Sequence, residues 1–340
     1  MINFQILGEP GRDNAVLLSV DSGKAVHKLL FDCGYGCLDS VAIADIMSLD
    51  GVFFSHFHMD HVSGFDYMFR LNYNRSESPL RMFGPRDTRR VVQHRMQAYT
   101  WNLVDDAAGK VAVTEFGGNR LERCEFATKD QFRVPTQETS EPMIDRVVYA
   151  WPELTVSAIE LDHGSGCISA GYVVRQADRW NVETSKLAEL GLKPGPWLKQ
   201  VTTIDDTPSS ETIVIGERTF NVAELRGQLL KSTPGASFAY LTDFRPNDVE
   251  MEELVAFIKH VDVLVCENSY ANQDLDLAVK NFHLCSDEVA QIAVSAEVGE
   301  LVLFHLSDRY TSEDWSKQFG EVRRLFPRTS WPPAWQSALA

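Results

Sequence analysis

Three histidines and an aspartate lie within six residues of one short segment: His56, His58, Asp60 and His61. Imidazole and carboxylate groups are polar, so a fold does not cluster them unless hydrogen bonds or a metal ion satisfy them. Nitrogen and oxygen donors of this kind bind zinc and similar divalent cations. The segment therefore predicts a metal site, and the chemistry of such a site is the activation of water.

The residues before this segment predict how it is positioned. The apolar run 52–55 is expected to form a strand that ends at His56. Side chains two apart on an extended chain point the same way, so His56 and His58 can bind one ion. Asp60 and His61 follow after the chain has turned, so they face a different direction. One short segment can therefore contribute to two adjacent metal sites.

Further residues of metal-ligand type follow other predicted apolar strands. They are His163, Asp243, Glu267 and His305. A single histidine after a strand is more often structural, but a zinc site with an open position usually has three protein ligands, so His163 is a candidate for the missing one. Layered α/β proteins build their sites from strand ends across a sheet. The sequence therefore predicts an α/β protein whose strand ends converge on the metal site.

Other elements are less informative. Asp32 ends the predicted strand 28–31 and opens a glycine-rich turn, where it either caps the turn or supports a metal-binding histidine. Residues 38–47 are predicted to be a helix. Residues 106–150 are predicted to be rich in loops, with strands near 111–116, 131–134 and 146–150. Ser286 is the predicted N-cap of a later helix.

The overall composition is that of an ordinary soluble globular protein. The chain has 340 residues, of which 44% are hydrophobic and 24% charged, enough for one large or two small domains. It shows neither a signal peptide nor an apolar stretch near the roughly 18 residues of a membrane span, so a cytoplasmic protein is expected. The six cysteines have no zinc-finger spacing and are predicted to be free thiols.

The charge balance restricts the partners. With 32 basic and 48 acidic residues the formal charge is −16, which repels polyanions over most of the surface. A nucleic acid must therefore be met by a local basic patch. Between Arg175 and Lys199 five basic and three acidic side chains give a local charge of +2. On composition alone, an exposed loop and a binding segment are both open for this stretch.

The segment FSHFHMDHVSGF resembles the HxHxDH signature of the metallo-β-lactamase superfamily. This resemblance implies a four-layer αββα sandwich, one domain over residues 1–340 with an arm inserted at about 176–200. It also implies two divalent metal ions, zinc in the first instance, with manganese or iron as alternatives. His56, His58 and His163 would bind one ion, Asp60, His61 and His305 the other, and Asp243 would bridge them.

A finer resemblance is to the ribonuclease Z family, which removes the 3′ trailer of precursor tRNA. The turn DCGYG is similar to the family's DCGEG, with Tyr35 in place of the glutamate, and SFAYLTDFRP resembles the strand before the bridging aspartate. The segment GYVVRQADRWNVETSKLAELGLKPGPWLKQ looks like the family's tRNA-binding arm. The last motifs of the family occur in the same order here, as CENSY, FHLCSDEVA and FHLSDRY. The resemblance covers about residues 4–310.

The family resemblance implies a mechanism and partners. Asp60 would orient the attacking water, and His283, oriented by Glu267, would protonate the leaving oxygen. Precursor tRNA would be the substrate and a homodimer the assembly. The implied substrate-binding residues are Arg175, Arg179, Lys193, Gly195, Pro196, Lys199, Ser307 and Arg309.

Three alternatives remain open. His283 can be an ordinary histidine at the start of a helix. The protein can be a hydrolase of small phosphodiesters, aryl sulfates or lactones, which the acidic surface favours. It can also be a catalytically silent binding protein on the same fold.

Overall fold

The computed structural model describes residues 1–75, 77–104, 109–202 and 211–336. The chain divides into two compact units, Met1–Gln176 with Ala236–Ala340, and Ala177–Gly235. Within the described residues no helix combines the length and the apolar character needed to cross a membrane.

The first unit contains a sheet of eight strands in chain order. Its strands are β1 (Ile2–Leu7), β2 (Ala15–Asp21), β3 (Val26–Phe31), β4 (Gly51–Phe53), β5 (Leu80–Gly84), β6 (Lys110–Gly117), β7 (Arg120–Ala127) and β8 (Thr136–Pro142). Strands β3 to β6 are parallel, and the strands on either side of them are antiparallel. The carboxyl ends of β3 and β4 therefore meet at one edge of the sheet.

A second sheet of seven strands completes this unit. Its strands are β9 (Val147–Trp151), β10 (Leu154–Asp162), β11 (Ile168–Gln176), β16 (Ser237–Leu241), β17 (Val263–Glu267), β18 (Glu300–Phe304) and β19 (Thr329–Ser330). They are arranged in the order β19-β18-β17-β16-β11-β10-β9, with β16 to β19 parallel. Because β10 and β16 both run antiparallel to β11, β10 points the same way as β16.

Helices cover the outer face of each sheet. The helices of the first unit are α1 (Ile43–Met47), α2 (Met59–Val62), α3 (Phe65–Asn72), α4 (Thr88–Gln97), α8 (Asp248–Phe257), α9 (Leu275–Asn281), α10 (Ser286–Ser295) and α11 (Ser312–Leu325). Short 3-10 turns span Thr128–Asp130, Ile144–Arg146, Asn272–Asp274 and Pro333–Trp335.

Three apolar clusters hold these layers together. The central one lies between the sheets and contains Phe31, Phe53 and Tyr240. A second packs the helices α1, α3 and α4 on the first sheet, and a third packs α8, α10 and α11 on the second. Each fully buried large apolar side chain contributes about 1.5–3 kcal/mol. The predicted αββα sandwich is confirmed.

The second unit has its own small core. It contains β12 (Arg179–Val182) paired with β15 (Leu230–Thr233), β13 (Thr212–Ile215) paired with β14 (Arg218–Asn221), and the helices α5 (Thr184–Glu189), α6 (Leu198–Thr202) and α7 (Val222–Leu229). Leu187, Val201 and Leu225 are buried together in it. The segment 176–200, predicted to be an arm, is thus the first part of a unit that continues to Gly235.

Some local predictions were wrong. The helix expected over 38–47 is only α1, because the chain before it forms turns that begin at Gly36, where φ is +71°. Helix α10 begins one residue earlier than expected, so that Cys285 occupies the N-cap and Ser286 the first turn. The strands expected near 111–116 and 146–150 are confirmed as β6 and β9, but residues 131–134 form no strand, and β7 and β8 replace the expected loops. Residues 106–108 lie outside the described part of the chain. Strand β7 was not predicted, because a bulge at Arg123 interrupts the alternation of apolar and polar residues along it.

Candidate metal centre

The carboxyl ends of four strands of the second sheet meet at one edge. His163 follows β10, Asp243 follows β16 and His305 follows β18, while Glu267 is the last residue of β17. These strands point the same way, so their ends place polar side chains together. The segment 56–61, which follows β4 of the first sheet, lies at the same place, because Asp243 is close to His56 and His61.

Asp243 is the centre of the cluster. Its Oδ2 lies 3.8 Å from Nε2 of His56, 3.4 Å from Nε2 of His61 and 3.7 Å from Nε2 of His163. Its Oδ1 lies 3.4 Å from Nε2 of His305. The aspartate therefore faces imidazoles on both of its oxygens, as a residue shared by two metal ions would.

The donors around Asp243 fall into two groups. His56, His58 and His163 bring one donor atom each to within 4.8 Å of one another and of Asp243. A second group of the same kind joins Asp60, His61, His305 and Asp243. Oδ2 of Asp60 lies 3.4 Å from Nε2 of His61 and 3.6 Å from Nε2 of His305. The structure thus brings together all seven residues that the sequence predicted as metal ligands.

Hydrogen bonds orient four of the imidazoles. Each uses Nδ1 for a protein acceptor and turns Nε2 toward the centre, which assigns the proton to Nδ1. The Nδ1 contacts are His56 to Ser55 Oγ at 3.0 Å, His61 to Asp32 Oδ2 at 2.8 Å, His163 to the Phe282 carbonyl at 3.1 Å and His305 to Ser269 Oγ at 3.2 Å. These rings are prepared to offer a lone pair to a cation.

The donor set fits divalent cations. Among the described residues, Nε2 of His56 and Nε2 of His61 are buried and have no hydrogen-bond partner. Leaving such atoms unpaired away from water costs free energy, so a ligand for them is expected. Mixed imidazole and carboxylate donors with two buried, unpaired nitrogens match the chemistry of zinc and similar ions.

The electrostatics of most of the cluster agree with this. Burial, followed by repulsion from His61, holds the pKa of His56 well below its usual value. Burial also lowers the pKa of His163, so both rings are neutral at pH 7. Burial by itself would raise the pKa of Asp243, but the nearby His305 and His61 outweigh it and hold that pKa well below the usual range. Neutral imidazole and ionised carboxylate are the forms that bind metals.

The exception is His61. Burial by itself would lower its pKa, but the carboxylates of Asp243 and Asp32 outweigh burial and hold that pKa well above its usual value. An ion that binds there therefore displaces a proton.

Asp32 supports a histidine of the cluster rather than merely capping its turn. Its Oδ2 accepts hydrogen bonds from Nδ1 of His61 at 2.8 Å, from Ser55 Oγ at 2.6 Å and from the Tyr240 hydroxyl at 2.7 Å. Its Oδ1 accepts from the Ser55 amide at 2.7 Å. The sequence left the role of Asp32 open, and it did not indicate Ser55 or Tyr240 at all.

Three residues at these strand ends have a strained backbone. Asp32, Asp243 and His305 have φ values of 56°, 50° and 50°, in the left-handed region that most side chains avoid. Such conformations cost roughly 1–3 kcal/mol each and persist where the surrounding structure enforces them. Here each one turns a polar side chain into the cluster directly after a buried strand.

Glu267 and His283 form a pair beside Asp243. Nδ1 of His283 lies 2.7 Å from Oε2 of Glu267, and its Nε2 lies 4.0 Å from Oδ2 of Asp243. Glu267 also accepts hydrogen bonds from the Phe244 amide at 3.0 Å and the Ser269 hydroxyl at 2.6 Å. Because its oxygens are already engaged, Glu267 is better suited to hold His283 than to bind a metal.

The protonation of His283 follows from this pairing. Burial disfavours the imidazolium, but the carboxylate of Glu267 outweighs it, and the pKa of His283 rises to about 9. The ring can therefore carry a proton at neutral pH. Its Nε2 faces the cluster, so it can act as a proton donor there.

The residues predicted to bind substrate are dispersed. Five belong to the second unit, namely Arg179, Lys193, Gly195, Pro196 and Lys199. Arg175 is exposed near the end of β11, opposite Thr155, whereas His163 lies beyond the other end, where Asp162 pairs with Ile168. At 3.3 Å per residue Arg175 is about 23 Å along the strand from Ile168.

Ser307 and Arg309 lie just beyond His305. The Arg309 amide donates to Ser307 Oγ at 3.3 Å, and the Ser307 carbonyl accepts from the indole of Trp315 at 3.1 Å. The guanidinium of Arg309 is exposed. These two residues are therefore close in sequence and in space to the cluster.

Comparison with known proteins identifies the family. The family model described as Beta-lactamase superfamily domain matches residues 27–181. A ribonuclease Z from Deinococcus radiodurans is 35% identical over 335 residues, which cover 98% of this chain and 99% of that protein. The structure of human tRNase Z, short form, superimposes with a TM-score of 0.51 at 16% identity and covers 91% of this chain and 94% of that chain. The metallo-beta-lactamase fold protein YhfI from Bacillus subtilis gives a TM-score of 0.53 at 16% identity, covering 97% and 96%. The chain therefore belongs to the ribonuclease Z family and has the metallo-β-lactamase fold.

Proposed function

We propose that this protein is a metal-dependent endoribonuclease that removes the 3′ trailer from precursor tRNA. The observation that carries the proposal is the Glu267–His283 pair, which places a proton donor beside the donor cluster of a ribonuclease Z family member. The products are a tRNA with a 3′ hydroxyl and a trailer with a 5′ phosphate.

The metal ligands of the proposal are those of the two donor groups. His56, His58 and His163 would hold one cation, Asp60, His61 and His305 would hold the other, and Asp243 is common to both donor groups. We propose zinc as the working ion, since imidazole-rich sites suit it, with manganese or iron as alternatives. When bound, such cations generate a nucleophile from water at neutral pH and neutralise charge on the phosphate.

The residues of the chain have distinct tasks in this reaction. Asp60, at the open side of the cluster, orients the attacking water and accepts its proton. His283 donates the proton of Nε2 to the departing 3′ oxygen, and Glu267 holds the ring and stabilises its charge. Asp32 fixes the ring of His61 through Nδ1.

A second candidate is a hydrolase of small phosphodiesters, aryl sulfates or lactones. The net charge of −16 favours it, because such a surface repels RNA outside local basic patches. Precursor tRNA and a panel of small esters, assayed on one preparation of known metal content, distinguish the two. Cleavage of small esters with precursor tRNA left intact would refute the endoribonuclease.

We also propose that the second unit binds the substrate. Its predicted contact residues are Arg179, Lys193 and Lys199, together with the Gly195-Pro196 element. In a homodimer the arm of one subunit would serve the site of the other, and a tRNA substrate implies a cytoplasmic location. Light scattering after size exclusion tests the dimer.

The structure indicates how the second unit should be removed. Deleting only residues 180–196 would take away β12 and the buried Leu187 and so break the core of the unit. The amide of Gln176 donates to the carbonyl of Ala236 at 2.9 Å, so the ends of the segment 177–235 are adjacent. Replacing the whole segment by a short glycine linker should abolish tRNA processing and leave hydrolysis of bis-p-nitrophenyl phosphate intact. Equal losses on both substrates would contradict a binding role.

A further inference from the structure

An exposed aromatic ring lies beside the metal cluster. Tyr35 is 79% exposed, the highest value among the large aromatic side chains that stand out from the described surface. Gly36, the third residue of its turn, has a φ of +71°, and the Cys37 amide donates to the Gly34 carbonyl at 3.3 Å. Tyr35 therefore occupies the tip of a tight turn in which glycine supplies the left-handed position.

This turn is pressed against the metal-binding segment. A Cβ atom on Gly34 would lie 2.5 Å from the carbonyl oxygen of Asp60 and 2.6 Å from Cβ of Asp13. The Cys33 amide donates to the His61 carbonyl at 2.7 Å. With 3.8 Å between neighbouring Cα atoms, Cα of Tyr35 is within about 8 Å of the Asp60 carbonyl. The turn that carries Tyr35 thus lies next to the metal-binding segment.

The loop 8–14 joins the turn and carries one cation, Arg12, together with the carboxylates of Glu9 and Asp13. Oδ2 of Asp13 accepts a hydrogen bond from the Tyr35 amide at 2.9 Å, and the Asp13 carbonyl contacts the Cys37 thiol at 3.2 Å. The neighbouring Arg12 is exposed, and no carboxylate partner for its guanidinium is found within the described ranges. We call the loop 8–14 and the turn 34–37 the rim.

Hydrogen bonds hold the backbone of the rim in place. The Asn14 amide bonds to the carbonyls of Leu7 and Glu9 at 3.3 and 3.2 Å, and the Trp335 indole donates to the Gly8 carbonyl at 2.8 Å. A preformed aromatic surface with a nearby free guanidinium binds a nucleotide at low entropic cost. Bases of single-stranded RNA stack on such rings, while arginine contacts the backbone phosphates.

We infer that the rim is a nucleotide-binding subsite in which the Tyr35 ring stacks on a base next to the scissile phosphate and Arg12 contacts a backbone phosphate. The inference rests on the proposed function for the identity of the RNA. It assigns to the first unit a recognition element that the predicted arm does not include. The exposure of both side chains means that their replacement leaves the core intact.

The test is a double-mutant cycle that combines a substitution in the protein with the removal of a base from the RNA. The base on either side of the cleavage position is removed in turn, and kcat/KM is measured for wild type, Tyr35→Ala and Tyr35→Phe. Tyr35→Ala should lower kcat/KM by about 5- to 150-fold, the range of base–aromatic stacking, and Tyr35→Phe should retain it. For the wild type, one of the two abasic precursors should be a poorer substrate than the intact precursor. For Tyr35→Ala, the same abasic precursor should be as good a substrate as the intact one. If the fold-losses in kcat/KM from Tyr35→Ala and from base removal multiplied in the combined measurement, the two changes would be independent and the stacking would be overturned.

Arg12→Ala tests the phosphate contact. It should raise KM and make the dependence of log KM on log salt concentration shallower by about 0.7, the value for one phosphate of a single strand. Arg324→Ala, an exposed arginine at the end of α11 remote from the cluster, is the matched control and should change neither. An unchanged salt dependence in Arg12→Ala would remove that residue from the rim.

A binding titration separates the rim from the proposed function. Affinity for a short single-stranded oligonucleotide spanning the cleavage position should fall in Tyr35→Ala and in Arg12→Ala. If wild-type protein left precursor tRNA intact while these variants still lost affinity, the endoribonuclease would be refuted and the rim retained. If the wild type cleaved and neither cleavage nor affinity changed in the variants, the rim would be refuted and the function retained.

Discussion

Removing the hydroxyl of Tyr240 should weaken metal binding without touching any metal ligand. This hydroxyl donates to Oδ2 of Asp32 at 2.7 Å, the same oxygen that holds Nδ1 of His61 at 2.8 Å. Tyr240→Phe keeps the buried ring and deletes one donor to a charged acceptor. Such a hydrogen bond contributes about 1.5–3 kcal/mol, and Asp32 retains its bonds from Ser55 and His61.

The substitution Tyr240→Phe should lower both the stability of the protein and its affinity for metal. The free energy of unfolding of the metal-free protein should fall by about 1.5–3 kcal/mol. The affinity for the ion bound by His61 should fall by less than the roughly 10- to 100-fold that follows removal of a metal-binding histidine's direct partner, because Tyr240 acts on His61 only through Asp32. Affinity for the ion bound by His56, His58 and His163 should change less, because Ser55 still joins His56 to Asp32.

Tyr172→Phe is the matched control. Its hydroxyl is equally buried and donates to the Phe54 carbonyl at 2.6 Å, a neutral acceptor, instead of to Asp32. It should cost about 1 kcal/mol of stability and leave metal affinity unchanged. Urea unfolding and competition of the loaded protein against a chromophoric chelator provide the two measurements. Equal metal affinities for Tyr240→Phe and wild type would show that Asp32 does not need the tyrosine to orient His61.

Three further outcomes are expected. His283→Ala should keep both metal ions and lose turnover on precursor tRNA, whereas His61→Ala or Asp243→Ala should lose metal as well. Elemental analysis and a cleavage assay on the same preparation measure both properties. Full activity of His283→Ala would exclude His283 as the general acid. Because the raised pKa of His283, about 9 without metal, keeps its proton at neutral pH, kcat should fall as pH rises toward 9. Bound cations repel the imidazolium and move this fall to lower pH, and His283→Ala should lack it. Removing the metals should lower the free energy of unfolding by about 4 kcal/mol for each ion, relative to protein at a free metal concentration 1,000 times Kd. A melting temperature that does not change when a chelator is added would contradict the fit of the cluster to metal ions.

The sequence and its resemblance to a known family predicted the fold class and the seven donor residues that the structure brings together. Four of the seven ligand candidates lie in one segment, and the others follow apolar strands, so residue type and position carried the information. Strands that point the same way must bring their ends to one edge of a sheet, which is why His163, Asp243 and His305 could be expected together. The resemblance to the ribonuclease Z family then supplied the pairing of Glu267 with His283.

The tertiary structure decided what depends on contacts between distant parts of the chain. Tyr240 reaches Asp32 across 208 positions, and nothing local at either residue indicates the contact. It exists because the two sheets pack face to face in one particular register. The extent of the second unit was hidden for a similar reason, since β12 finds its partner β15 about 50 residues later. The rim, which includes Tyr35, could also be recognised only from the structure. The exposure of the Tyr35 side chain and the approach of Gly34 to Asp60 are properties of the packed chain.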